Sequence, residues 1–144
     1  MHLSTSRHNL RRFRRDQSGA VAVEFVLIGP ILFALLFGII VIAYFMGLSH
    51  SVSQLATGAA RASVSGLDAE ERQDFAESYL AEGSSRYPLL AQTAITPQVT
   101  IAPGHPSNIT VQVTYDLDGS ILDLANGFLG LDLANIKGSA FLEY

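Results

Sequence analysis

The sequence predicts an α+β protein, with a long N-terminal transmembrane helix followed by a small exported domain of helix and antiparallel β-sheet. Three observations predict this class. Residues 25–48 carry no charged side chain, and residues 68–82 combine a capping pattern with helical spacing. From Pro97 onward, apolar residues alternate with polar ones in segments that predict about three strands. Because part of this chain of 144 residues lies in a membrane, the rest is long enough for one globular domain at most.

The transmembrane helix is predicted from an uninterrupted apolar run. From Phe25 to Leu48 every residue is apolar, Gly, Pro or Tyr, which as a helix is roughly 36 Å long and exceeds a hydrocarbon core of about 30 Å. A secretory signal peptide has a shorter core of about 7–15 residues, and the first Ala-x-Ala after the run, at residues 60–62, lies well beyond its end. We therefore expect the helix to stay attached. Gly29 and Pro30 interrupt it, and because Pro30 lacks a backbone donor a kink is expected there, with or without a role.

Charge is distributed very unevenly along the chain. Residues 1–19 hold five Arg and one Asp, a net charge of +4, whereas residues 20–144 hold four basic and twelve acidic residues, a net charge of −8. The topology signal lies immediately before the apolar run, at Arg11, Arg12, Arg14 and Arg15. By the positive-inside rule the leader stays in the cytoplasm and the acidic part is exported. A nucleic-acid partner is not expected, because it would require basic charge on a folded surface.

The chain is predicted to divide into four parts. Residues 1–19 form a basic leader, 20–48 the transmembrane helix, 49–66 an extension of that helix outside the membrane, and 67–144 a small α+β domain. The extension has one thin face at helical spacing, which either packs on the chain's own domain or meets a neighbouring helix. Its members are Leu48, Val52, Leu55, Ala59 and Ala62.

The elements of the domain follow from local patterns. Asp68 and Glu71 predict the start of a helix that runs to about Glu82 and stops at Gly83. The first two strands and the turn formers between them predict a hairpin, with a buried face at Val99, Ile101, Ile109, Val111, Val113 and Tyr115. A short helix with one apolar face is expected next, at Ile121, Leu124, Ala125, Phe128 and Leu131. The tail predicts a third strand, with Ile136, Gly138, Ala140 and Leu142 on one side.

Catalytic and metal chemistry are not expected. The chain has no Cys, no pair of His at metal-ligand spacing, no Gly-x-Ser-x-Gly and no glycine-rich phosphate loop. Residues 116–119 share a little with a calcium loop, but Ile121 and Gly127 stand where the required Gly and the distal Glu would be. A polar turn capping a strand end explains these acids better. We therefore predict no enzyme, no cofactor, no metal and no small-molecule substrate.

Glu24 is the exception within the apolar segment, because hydrocarbon solvates a carboxylate poorly. In one interpretation it sits in the headgroup zone, favoured by the positive end of the helix dipole. In the other, the chain is cut between Gly19 and Ala20, which removes the leader and creates an α-amine on Ala20. That amine and Glu24 would pair within a chain or between chains, offsetting the cost of burying each charge. In the second interpretation, the pairing of Glu24 fixes how far one helix is shifted along its axis against the next.

The residues around Glu24 resemble those of the type IV pilin family. A basic leader ends in Gly19, four small or apolar residues follow, and Glu24 is the fifth residue of the mature chain. Phe25 directly after the Glu is similar to the Flp and Tad branch, and residues 19–32, with Pro30 after the Glu-Phe pair, resemble the TadE-like pseudopilin pattern. Flp major pilins are far shorter than this chain, which favours a minor pseudopilin. The resemblance does not separate TadE from TadF.

The resemblance implies a prepilin cut after Gly19 by a membrane prepilin peptidase, with recognition and assembly carried by Glu24 and Phe25. It implies a non-enzymatic subunit of a tight-adherence pilus in the bacterial inner membrane, single-pass, with its C-terminal domain in the periplasm. The expected partners are the inner membrane, the peptidase, other pilins and pseudopilins, and the Tad assembly machinery. The alternative is an uncleaved single-pass anchor whose periplasmic domain binds a ligand or a partner protein.

Overall fold

One long helix, three short helices and a three-stranded sheet make up the described chain. The computed structural model describes residues 17–102, 104, 107–130 and 133–143. In order, the elements are α1 (Gln17–Ser63), α2 (Ala69–Ala81), α3 (Gly83–Arg86), a 3₁₀ turn (Gln92–Ala94), β1 (Ile95–Ala102), β2 (Asn108–Tyr115), α4 (Ile121–Leu129) and β3 (Ile136–Glu143). The predicted α+β class is confirmed.

The chain divides into two compact units, Met1–Ile40 and Val41–Tyr144. The described part of the first unit is residues 17–40 of α1. The second unit contains the rest of α1 together with all the other helices and the sheet. The four-part division predicted from the sequence remains a prediction.

The sheet is antiparallel, with the order β1-β2-β3. Val111 in the central strand lies opposite Val99 on one side and Ala140 on the other. The alternation predicted for β2 is confirmed, because its apolar side chains at 109, 111, 113 and 115 are all buried. Pro97, which has no backbone N–H to donate, lies in β1 at an edge of the sheet, where a missing donor is tolerated.

The buried face of the sheet shares its core with the second half of α1. Of the five residues of the predicted thin face, Leu48, Val52, Leu55 and Ala59 are fully buried and pack within the chain, whereas Ala62 is half-buried. Strand β3 comes into close contact with this helix at Gly138. A β-carbon on Gly138 would lie 2.9 Å from the carbonyl oxygen of Val52. Only a residue without a side chain allows strand and helix backbones to come so close.

We predict that Gly138→Ala destabilises the exported part of the protein. The added methyl group would overlap helix backbone, which cannot move aside as a flexible side chain can, so a loss of about 2 kcal/mol is expected. That loss lowers the thermal midpoint by roughly 10 °C, measured by circular dichroism in detergent. Gly127→Ala is the matched control, since the helical Gly127 has nothing within 4 Å of an added β-carbon. Equal midpoints for the two variants would contradict the prediction.

Helix α2 begins as its sequence predicts. The Asp68 carboxylate accepts a hydrogen bond from the backbone N–H of Glu71 at 2.9 Å. The Glu71 carboxylate reaches back and accepts from the N–H of Leu67, also at 2.9 Å. The two bonds form a variant of the capping box, in which two backbone donors at the helix start are satisfied by side chains.

Helix α2 ends at Ala81, one residue before the predicted end at about Glu82, but the role expected of Gly83 was wrong. Gly83 does not have the left-handed backbone of a helix stop and instead begins α3. It is buried, and a β-carbon there would lie 3.0 Å from Ile95 and 3.1 Å from Leu55. Glycine at this position leaves room for the ends of the Ile95 and Leu55 side chains and does not form a turn.

Tyr79 connects α2 to α1. A β-carbon on Gly58 would overlap the Tyr79 hydroxyl, so the ring fills the space that Gly58 leaves. The Arg86 guanidinium lies 4.3 Å from the centre of the same ring. Burial, followed by a hydrogen bond with Tyr79, raises the pKa of the neighbouring Tyr87. These aromatic contacts hold α2 and α3 on the helix that carries the core.

The face that α4 buries differs from the one expected. Leu122 and Ala125 are buried, whereas Ile121, Leu124 and Phe128 are exposed; Leu131 lies outside the described residues. The helix is apolar on more than one side, so helical spacing alone is compatible with burial of either of two faces. Asn126 decides between them, because its side chain donates to the carbonyl of Leu133 and accepts from the N–H of the same residue.

Candidate functional site

The predicted cleavage site lies in the first turn of α1. The helix begins at Gln17, so Gly19 and Ala20 are its third and fourth residues. Gly19 is exposed. The topology residues Arg11, Arg12, Arg14 and Arg15 lie outside the described residues.

Glu24 lies one helical turn beyond Ala20. A separation of four residues places the two positions on the same side of the helix, about 6 Å apart along its axis. The Glu24 side chain is exposed. Within the part of the chain that the structure describes, no side chain forms a hydrogen bond or an ion pair with it. The partners that the two interpretations of Glu24 provide are a new amine on Ala20, within the chain or on another chain, and the headgroup region.

The side chains around Glu24 are apolar and uncovered. Val23, Phe25 and Val26 are 62%, 70% and 68% exposed. Such a surface is unfavourable in water, and it is suited to lipid or to the apolar faces of other helices. Glu24 is the one acidic residue of α1, whose remaining charged residue is Arg61.

Gly29 and Pro30 lie within α1, which continues through them to Ser63. Because Pro30 has no backbone N–H, the carbonyl of Val26 receives no helical hydrogen bond from it. Gly29 is buried, and a β-carbon there would lie 3.9 Å from the edge of the Phe25 ring. The ring of Phe25 thus lies beside Gly29, and the expected kink remains a prediction.

The helix that carries these residues is suited to a membrane. Among the described residues, one helix is long and apolar enough to cross a bilayer; it spans Val21–Ser63, with a mean hydropathy of 3.0 in its most apolar window. Little of that window, 11%, is buried within the chain. The structure is therefore compatible with the single-pass anchor that the sequence predicts.

The acidic turn after β2 has structural partners of its own. The Asp116 carboxylate accepts from the N–H of Asp118, and the Asp123 carboxylate accepts from the N–H of Gly119. Both bonds are typical of a polar turn that leads into a capped helix. Over residues 17–102, 104, 107–130 and 133–143, no group of three or more His, Cys, Asp or Glu side chains is placed to hold a metal ion.

Comparison with known proteins identifies the N-terminal segment. Residues 19–61 match the model of the family described as TadE-like protein. The match begins at the residue predicted to precede the cleavage site, which confirms the resemblance to TadE-like proteins drawn from the sequence. It ends within α1, before α2 and the sheet. No curated protein and no solved structure matches the chain.

Proposed function

We propose, from the premise that residues 19–61 are TadE-like, that this protein is a minor pseudopilin of a tight-adherence pilus. The family match indicates a membrane protein associated with the Tad pilus. The proposal goes further in two respects. The protein is made as a prepilin that a prepilin peptidase cuts after Gly19, and the mature protein is a structural subunit rather than an enzyme.

The proposed topology follows from charge. The leader with its arginines stays in the cytoplasm, residues 20–48 cross the inner membrane once, and the acidic C-terminal part lies in the periplasm. The partners we propose are the peptidase, other pilins and pseudopilins, and the Tad assembly machinery. Incorporation into a surface pilus then requires the apolar helix to leave the lipid and to pack against other helices.

The observation that carries the proposal is the position of Glu24 relative to Gly19. In α1, Glu24 lies five residues after Gly19, about 7 Å further along the helix axis. After the cut it is the fifth residue of a helix that begins with a charged amine. The positive end of the helix dipole acts over about one turn, so the cut moves both the dipole end and a new positive charge toward the carboxylate. Cleavage after Gly19 therefore lowers the cost of holding the Glu24 carboxylate in an apolar environment.

The decisive experiment is the identity of the mature N-terminus. The full-length chain is produced in cells that carry the peptidase, extracted from the membrane in detergent, and analysed by intact mass and N-terminal sequencing. We expect a chain that begins at Ala20. The same protein from a peptidase-deficient strain is the control and should begin at Met1.

A chain that begins at Met1 in peptidase-positive cells would rule the proposal out. That result would favour the alternative, an uncleaved single-pass anchor whose exported domain binds a partner. Cleavage at another bond would contradict the assignment of Gly19 and Ala20 while leaving a processed subunit.

A further inference from the structure

A tight turn with two uncovered residues at its tip follows α3. The N–H of Leu90 donates to the carbonyl of Tyr87 at 2.9 Å, and Pro88 stands at the second position of this turn, where its fixed backbone angle is favourable. Leu90 is buried, whereas Pro88 and Leu89 are exposed, Leu89 to 45%. We define Pro88 and Leu89 as the turn tip.

The residues on either side of the turn tip hold it in place. The N–H of Tyr87 donates to the carbonyl of Gly83 at 2.9 Å, and the Leu90 side chain lies in the core. The N–H of Ala91 donates to the Tyr115 hydroxyl at 3.2 Å, which ties the end of the turn to β2. The position of the turn tip on the domain is therefore fixed before any partner binds.

The turn tip lies beside the end of the apolar run of α1. A β-carbon on Gly47 would lie 3.3 Å from the Cδ1 atom of Leu89. Gly47 is the last residue but one of the run from Phe25 to Leu48. The core that the domain shares with α1 extends further along the same run, to Val41. The exported domain therefore covers one side of the last two turns of the run.

Helix geometry places Gly47 at the height of the lipid headgroups. A hydrocarbon core of about 30 Å is crossed by about 20 helical residues. Counted from Phe25, the first residue after Glu24, these end at Tyr44, and Tyr is enriched where hydrocarbon meets headgroups. Gly47 lies about 4–5 Å further along the helix, within a headgroup layer about 5–7 Å thick.

We propose that the turn tip binds the phospholipid bilayer in which α1 is anchored, with Pro88 and Leu89 in the headgroup layer of the leaflet on the exported side. Residues 87–91 carry no charge, which suits this environment. A turn also leaves backbone groups without partners, which hydrocarbon does not tolerate and hydrated headgroups do. The proposal rests on the membrane span of the proposed function. It requires neither cleavage nor a pilus and applies equally to an uncleaved anchor.

Lipid is favoured over a protein partner by position. Because Leu89 contacts Gly47, any protein that covers the turn tip has to displace lipid headgroups from around the end of the membrane span. Lipid is present at that height in every anchored chain. A second copy of the chain or another protein is an outcome that the experiment distinguishes.

The test measures quenching of a fluorophore by labelled lipid. The chain has no Cys, so a single introduced thiol is the one site of labelling. Full-length Leu89→Cys carries an environment-sensitive fluorophore and is reconstituted into vesicles of phosphatidylethanolamine and phosphatidylglycerol. A fraction of the lipid bears a nitroxide on its headgroup. Iodide in the buffer serves as the quencher from the aqueous side.

Leu67→Cys is the matched control, since Leu67 is also an exposed leucine. It follows the end of α1 at Ser63, which lies sixteen residues, about 24 Å, beyond Gly47 along the helix. We therefore expect the labelled lipid to quench position 89 on the order of threefold or more strongly than position 67. Iodide should show the opposite preference.

Pro88→Cys provides a second probe that leaves Leu89 in place, and it should behave as Leu89→Cys does. Thermal midpoints establish that each labelled variant is folded. Both probes are needed because a fluorophore at 89 replaces the side chain that contacts α1, whereas one at 88 does not replace it.

Three outcomes would overturn the proposal. The first is equal quenching by labelled lipid at the turn tip and at position 67. The second is protection from iodide without quenching by lipid, which indicates cover by a second copy or by another protein. The third is stronger quenching by a nitroxide deep in the acyl chains than by one on the headgroup. All measurements use uncut chain from a peptidase-deficient strain, so the failure of this inference and the failure of the proposed cleavage are separate results.

Discussion

Gly19→Val is expected to leave the leader on the chain, so that the protein isolated from peptidase-positive cells begins at Met1. To cut after Gly19, a peptidase has to bind the residues around the cut in an extended conformation. Its active site also has to fit tightly around the residue that precedes the cut. A β-branched side chain opposes both, because it adds bulk beside the scissile bond and restricts the backbone. We expect cleavage to slow on the order of tenfold or more, measured as the ratio of full-length to mature chain by intact mass.

The structure supplies a sharp control for this variant. A β-carbon on Gly19 would meet nothing within 4 Å, and the same is true of Gly38, further along α1. Gly38→Val therefore makes the same chemical change in the same helix without touching the cleavage site, and it should be processed normally. Normal processing of Gly19→Val would remove the assignment of the cut, whereas a failure of both variants would indicate a general defect in membrane insertion.

Glu24→Gln is expected to be processed normally and then to fail in assembly. Glutamine keeps the shape of the side chain and removes its charge, so the α-amine of Ala20 loses its ionic partner. A carboxylate deep in a bilayer costs about 3 kcal/mol, and pairing offsets that cost only while both charges are present. We expect the amount of this subunit in sheared pilus fractions, measured by quantitative immunoblotting, to fall on the order of tenfold or more.

Two comparisons make the result for Glu24 decisive. The mature N-terminus of Glu24→Gln should be Ala20, which separates a defect in assembly from a defect in processing. Glu24→Asp, which keeps the charge on a shorter side chain, should retain more assembly than Glu24→Gln. Normal assembly of Glu24→Gln would eliminate the pairing argument and favour the interpretation that Glu24 merely lies in the headgroup zone.

The sequence predicts this fold best where a local residue pattern is compatible with only one structure. Strand β2 alternates strictly, and a shift by a single residue would turn all of its apolar side chains to the solvent, so its buried face was predictable. The start of α2 was equally determined, because Asp68 and Glu71 satisfy backbone donors that only a helix start leaves free. Both predictions depend on residues close together in the chain.

Predictions that depend on distant contacts were less successful. Helix α4 is apolar on two sides, and its orientation is decided by Asn126 and Leu133, whose bond no periodicity indicates. Gly83 was wrongly predicted to stop a helix, whereas Gly138 lies on the predicted face of β3 but in a contact with α1 that the sequence did not indicate. Both prove to be places where another element comes within contact distance of the backbone. A glycine required by close approach is indistinguishable in sequence from one required by a turn.

The candidate site shows the same division. Glu24 was identifiable as one charge in an apolar run, and its spacing from Gly19 needs only the geometry of a helix. The exposed apolar surface around it follows from the composition. A single chain cannot supply the packing partner that the proposal requires, because that partner lies on another molecule or arises only after cleavage.

The close contact between Gly138 and Val52 also has a consequence for the order of folding. Strand β3 follows β1, β2 and α4 in the chain, and it both completes the sheet and docks against α1. Contacts between residues so far apart in sequence form late, because a long loop has to close first. Until β3 arrives, β2 presents an open edge that other strands can pair with. We therefore expect the interval between delivery of β2 and delivery of β3 to be the time at which a nascent chain is most vulnerable to aggregation and proteolysis.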